Sequence, residues 1–101
     1  VKRKIACLVS GAGLLVASFA VAGDADLFIA KCGACHKRGG QAAAVNPADK
    51  AGRVWAKYFK RGRHPVDLTA TISESEMAAI IQYLKDHAAD SDQPAAAVIP
   101  K

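Results

Sequence analysis

From residue 23 onward apolar side chains recur at intervals of three and four, and no stretch alternates apolar with polar residues as a half-buried strand would. Three helices are predicted. The first opens at Asp24, an N-cap residue type, and carries Leu27 and Phe28 toward the stretch "AKCGACHKRGG". The second begins near Asp49, after Asn46-Pro47, and sets Ala51, Val54, Trp55 and Tyr58 on one face before Gly62 stops it. In the third, Ser73 and Glu76 have capping-box spacing, and Ile72 can staple onto Met77. Its buried stripe is Met77, Ile80, Ile81 and Leu84, with Tyr83 beside it. Periodicity ends at His87. Residues 90–101 carry two prolines and no repeat, and read as an extended or mobile tail.

The opening segment has a different pattern. Lys2, Arg3 and Lys4 precede an apolar run from Ile5 to Ala22 that ends in the small residues Ala20 and Ala22. Residues 1–22 therefore read as a secretory signal peptide, which makes the protein periplasmic or otherwise exported, with cleavage before Gly23 or, equally in keeping with the small-residue rule, before Val21. A retained membrane anchor is the competing reading, because the run lies at the short end of the roughly 17–25 residues that span a bilayer.

The 79 residues from Gly23 to Lys101 leave room for one small domain, expected over 23–89 ahead of the tail. At that size an apolar core supplies only about 3–5 kcal/mol, so a staple is expected. A disulfide between Cys32 and Cys35 would close too short a loop to remove much chain entropy. A bulky cofactor would serve better.

Cys32, Cys35 and His36 form C-x-x-C-H, the spacing at which two thiolates add to the vinyl groups of a haem while the next residue turns its imidazole to the iron. Zinc would need His36 plus His64 or His87 to complete four ligands, with two ligands adjacent in sequence. A redox dithiol would need a preceding strand and a βαβ setting, which the pattern lacks. Chance occurrence is the plain alternative.

With these residues in view, the chain resembles the class I cytochromes c, especially the short bacterial and algal type, over nearly all of residues 23–89. "DLFIAKCGACH" is similar to that family's first helix and haem motif, "KRGG" to its glycine turn, and "ISESEMAAIIQYLKDH" to its last helix. The resemblance implies an all-α, small cytochrome c fold of three main helices wrapped around one covalently attached haem c. It also implies that the Pro47 carbonyl in "AAAVNP" orients His36 and that Tyr83 packs near Phe28.

The sixth ligand departs from the family pattern. His64-Pro65 stands where the family places Met-Pro. His64 follows a helix-ending glycine on a loop that can approach a metal, whereas Met77 lies on the third helix's core stripe, where filling space is the ordinary role. His87 sits at a helix C-terminus, a place that suits a histidine without any metal. His64 is thus the expected distal ligand, Met77 and an open position the alternatives. Two imidazoles lack the thioether's preference for reduced iron, which implies a low-potential electron carrier rather than an enzyme. The rival function is a haem protein whose distal site opens to a small ligand or does weak peroxidatic work.

Charge adds a partner. Nine basic residues lie between Lys31 and Arg63 against the single acid Asp49. From His64 onward six acids face only Lys85 and Lys101. A positive rim around both presumed ligands would steer redox proteins with acidic docking surfaces. Nucleic acid does not fit: from Gly23 there are eleven basic and nine acidic residues, net +2, and no aromatics interleave a basic stripe. Membrane contact is expected only if residues 1–22 are retained.

Overall fold

The computed structural model describes residues 24–101, so the predicted signal segment lies outside the described residues. Three helices, α1 (24–31), α2 (Gly52–Lys60) and α3 (Glu74–Asp86), are joined by loops with short 3-10 turns at Pro47–Asp49 and Leu68–Ala70, and no strand occurs among the described residues. No helix among them is long and apolar enough to cross a membrane.

The third helix follows its local signals. Ser73 Oγ accepts from Glu76 N–H at 3.1 Å, and Glu76 Oε1 accepts from Ser73 N–H at 2.9 Å, closing the capping box. Ile80, Tyr83 and Leu84 are buried, and Met77 packs against the same core from a half-buried position. The α1–α3 contact is aromatic, with Phe28 and Tyr83 ring centres 5.6 Å apart, tilted by 38°. Lys31 ties the end of α1 to the start of α3 by donating to the Thr71 carbonyl at 2.9 Å.

The second helix starts three residues later than its pattern predicts. Asp49 bonds backward, its Oδ2 accepting from Asn46 N–H at 2.9 Å, and Lys50 is extended (φ −142°, ψ 161°). The cap comes from far away: Asp90 Oδ1 accepts from Gly52 N–H at 2.9 Å, placing a carboxylate at the positive end of α2. Trp55 is buried, while Val54 turns outward. Gly62 (φ 63°) ends the helix, as the sequence implies.

The tail is an irregular run of turns and bends, and it is docked. Ile99 is buried with the core, held by Asn46: Asn46 Oδ1 accepts from Ile99 N–H at 2.8 Å, and Asn46 Nδ2 donates to Ile99 O at 3.0 Å. Ala48 N–H donates to Ala95 O, and Ala95 N–H to His87 O, each at 3.0 Å. A run without periodicity is thus fixed by Ile99, with Val98 beside it on the core, and by backbone bonds.

Candidate functional site

The cysteine motif sits on the turn that ends α1. Cys32 and Gly33 N–H both donate to Phe28 O, and His36 N–H donates to Cys32 O at 2.9 Å. Gly33 is required here, because a Cβ at that position would lie 2.3 Å from the Ile29 carbonyl oxygen. Both cysteines are free thiols, Cys32 half-buried and Cys35 exposed. Burial, then the neighbouring Cys35, pushes the Cys32 thiol up to about 11, so it stays protonated at neutral pH. Cys35 Sγ lies 3.6 Å from Gln41 Oε1.

After the motif Gly39, at φ 78°, reverses the chain. Gly40 lets it approach closely, since a Cβ there would meet Cys35 O at 2.5 Å. Ala42 N–H then donates to Cys35 O at 3.0 Å, and an isolated bridge pairs His36 with Ala42. This return sets the Ala43 carbonyl beside the imidazole, where it accepts from His36 Nδ1–H at 2.7 Å.

The expectation for Pro47 is therefore corrected. Its carbonyl accepts from the buried Trp55 Nε1–H at 2.8 Å and does not serve His36. The reason is local: the Gly39-Gly40 turn brings the chain back within seven residues of His36, so Ala43 reaches the imidazole, while Pro47 has already entered a 3-10 turn directed at α2.

His64 stands on the loop beyond Gly62. The structure brings His36 and His64 together, with ring centres 6.1 Å apart and planes at 66°. A metal–imidazole bond is about 2.0–2.1 Å, so two imidazoles in line on one ion would have ring centres about 6.3 Å apart. His64 Nδ1 has two backbone neighbours that correspond to opposite tautomers: it donates to Val66 O at 2.9 Å in one, leaving Nε2 basic, and accepts from Val66 N–H at 3.3 Å in the other. In His36 Nδ1–H is directed to a carbonyl, which leaves Nε2 as the nitrogen that a metal takes, and the Val66 O contact offers His64 the same form.

The other candidates do not join this pair. Met77 belongs to the core of α3, and His87 packs on Tyr83 at 4.8 Å while its Nδ1 donates to Gln93 O at 2.9 Å. Among the described residues no three His, Cys, Asp or Glu side chains gather into a metal site. The arrangement can therefore supply two nitrogens to one ion, with two thiols beside one of them. Of the residues that shape it, Ala43, Asn46 and Trp55 escaped the sequence reading; the Gly39-Gly40 reversal was the signal available for the first.

Two surface hollows also occur. One, of about 560 Å³, is lined by Lys37–Ala44 and Lys101; the other, of about 570 Å³, lies between α2 and α3 and is lined by Arg53, Lys57, Lys60 and Lys85 with Asp90 and Ser91. Neither includes an imidazole of the pair. Compared with known proteins, the chain matches no family model, no curated protein and no solved structure.

Proposed function

We propose that this protein is an exported monohaem c-type electron carrier, similar in kind to the class I cytochromes c, with His36 and His64 on opposite sides of the iron. The observation that carries this reading is the His36–His64 pair, 6.1 Å between ring centres, with His36 Nδ1–H donated to the Ala43 carbonyl and His64 Nδ1 beside Val66 O. His36 and His64 would hold the iron of a planar ligand, and Cys32 and Cys35, both free thiols, would anchor that ligand through thioether bonds. Zinc would need two further protein ligands, and no such cluster occurs among the described residues.

Haem, when bound, supplies the one-electron couple of its iron. The chain's residues set the terms: Ala43 makes His36 a more basic ligand, and His64 provides a second imidazole in place of a thioether, which favours the ferric state and a low potential. Export rests on the character of residues 1–22. Exposed Lys37, Arg38, Arg61 and Arg63 flank the two histidines, and Arg53, Lys57, Lys60 and Lys85 extend the positive surface, which suits redox partners with acidic faces.

One observation favours a second reading, a haem protein with an openable distal site. His64 is held only within its own loop, by Val66 two residues on, whereas His36 is anchored by a turn on both sides. The experiment is a pyridine haemochrome assay on protein exported with intact haem attachment, followed by the reduced spectrum under carbon monoxide. A thioether-type haemochrome with no carbon monoxide shift supports the carrier, prompt carbon monoxide uptake supports the second reading, and no haem overturns both.

A further inference from the structure

Asn46 is the single polar residue wholly buried among the described residues. Its amide mimics a peptide group, accepting from Ile99 N–H at 2.8 Å and donating to Ile99 O at 3.0 Å. A buried amide is tolerated only with its bonds made, so Asn46 and Ile99 specify one another across 53 positions.

Three residues before Asn46, Ala43 presents the carbonyl that accepts from His36 Nδ1–H. The loop that carries this carbonyl is held at both ends. The near end is fixed by Ala42 N–H to Cys35 O at 3.0 Å. The far end has three anchors, and two go to the tail: Asn46 to Ile99, and Ala48 N–H to Ala95 O; the third is Trp55 Nε1–H to Pro47 O. The tail then reaches the motif loop itself, where Lys101 O accepts from Arg38 Nε at 2.7 Å, two residues beyond His36. Residues 95–101 thus grip the chain on both sides of the His36–Ala43 pair.

We infer that residues 95–101 act as a strap and that Asn46 is a positioning residue for His36, transmitting the strap's hold to the Ala43 carbonyl. Asn46 acts only through Ala43. When the strap is released the imidazole loses its acceptor, its ring proton becomes free to exchange with water, and its basicity toward a metal falls. The part concerning potential rests on the haem reading; the part concerning the ring proton does not.

The test uses the 15N-labelled full chain. In the unaltered protein, His36 Nδ1–H and Ile99 N–H should exchange with solvent through one shared opening, with the same denaturant dependence. Their exchange through separate openings overturns the strap, and this arm needs no variant to fold. In Asn46→Ala, His36 Nδ1–H should exchange about tenfold faster or more, while His64 Nδ1–H, held by Val66, keeps its rate. The haem-loaded variant should also show a raised potential with low-spin absorption retained. If Asn46→Ala folds and leaves both the His36 proton and the potential unmoved, the strap fails and the carrier stands. If the exported protein holds no haem but His36 and Ile99 still open together, the carrier fails and the strap stands.

Discussion

Replacing Trp55 by Phe separates two assignments of the Pro47 carbonyl. Trp55 is 3% exposed and its Nε1–H is the donor to that carbonyl at 2.8 Å. Phenylalanine keeps much of the ring and removes the donor. Leaving a buried carbonyl unpaired costs about 1–3 kcal/mol. The missing part of the indole leaves a void, and truncating Trp or Phe altogether costs about 3–5 kcal/mol, so this partial loss adds about 1 kcal/mol. The sum is about 2–4 kcal/mol, comparable with the whole core contribution of about 3–5 kcal/mol expected at this size, so the experiment belongs to the haem-loaded protein. In a domain of this length each kcal/mol moves the melting temperature by about 4–8 °C, giving an expected fall of about 10–25 °C by calorimetry. Because His36 is oriented by Ala43, the iron's spectrum and potential should stay where they are. A variant that melts within about 3 °C of the native protein, or one whose potential moves without loss of stability, would return Pro47 to His36 and refute the reasoning.

His64→Ala should let the reduced haem bind carbon monoxide, and His64→Met should raise the potential and bring the red charge-transfer band of an iron–thioether bond; Met77→Leu should leave the spectrum alone and cost under about 1.5 kcal/mol. A silent His64→Ala beside a Met77→Leu that abolishes low-spin character would move the ligand to α3. Glu76's carboxyl is held below the ordinary carboxylate range by Ser73 N–H first, with Lys31 adding to it, so its contribution to stability is complete above about pH 4.3 and is lost as pH falls through the lower folded value. Glu76→Gln should therefore flatten part of the acid limb of melting temperature against pH, and an unchanged limb counts against the capping assignment. In the haem-free chain at pH 8, iodoacetamide should alkylate exposed Cys35 well before Cys32, whose pKa near 11 leaves about one molecule in a thousand as thiolate. Equal rates by mass spectrometry would show that Cys32 is not shielded.

What the sequence disclosed tracks how local each signal is. The start of α3 was legible because Ser73 and Glu76 satisfy one another within a single turn. Phe28 against Tyr83 was visible only through a family resemblance, since no periodicity says which helices cross. The start of α2 was misplaced because Asp49, a good cap by type, bonds backward, and the carboxylate that caps α2 arrives from Asp90, 38 positions away. Ile99 was hidden in an aperiodic tail because its place is fixed by the amide of Asn46, a pairing no local pattern encodes. Within the site the residue types were readable and their distances were not. That His64 closes to 6.1 Å from His36 depends on the φ of Gly62 and the path of the loop after it.

The pairing of Asn46 with Ile99 also bears on the order of folding. Closing a chain across 53 residues is slow compared with forming a helix or a turn, and Ile99 is synthesised after everything it clamps. Until it arrives, the segment carrying Ala43 is tied to the motif by its glycine turn and to α2 by Trp55 alone. The helices can therefore form before the segment carrying Ala43 is held at both ends, and the Asn46–Ile99 contact is the long-range one that completes the grip. Folding is thus staged by chain length: before Ile99 arrives the loop carrying Ala43 is held from the motif side and by Trp55, and once Ile99 docks it is gripped at both ends, while Cys35 stays exposed throughout.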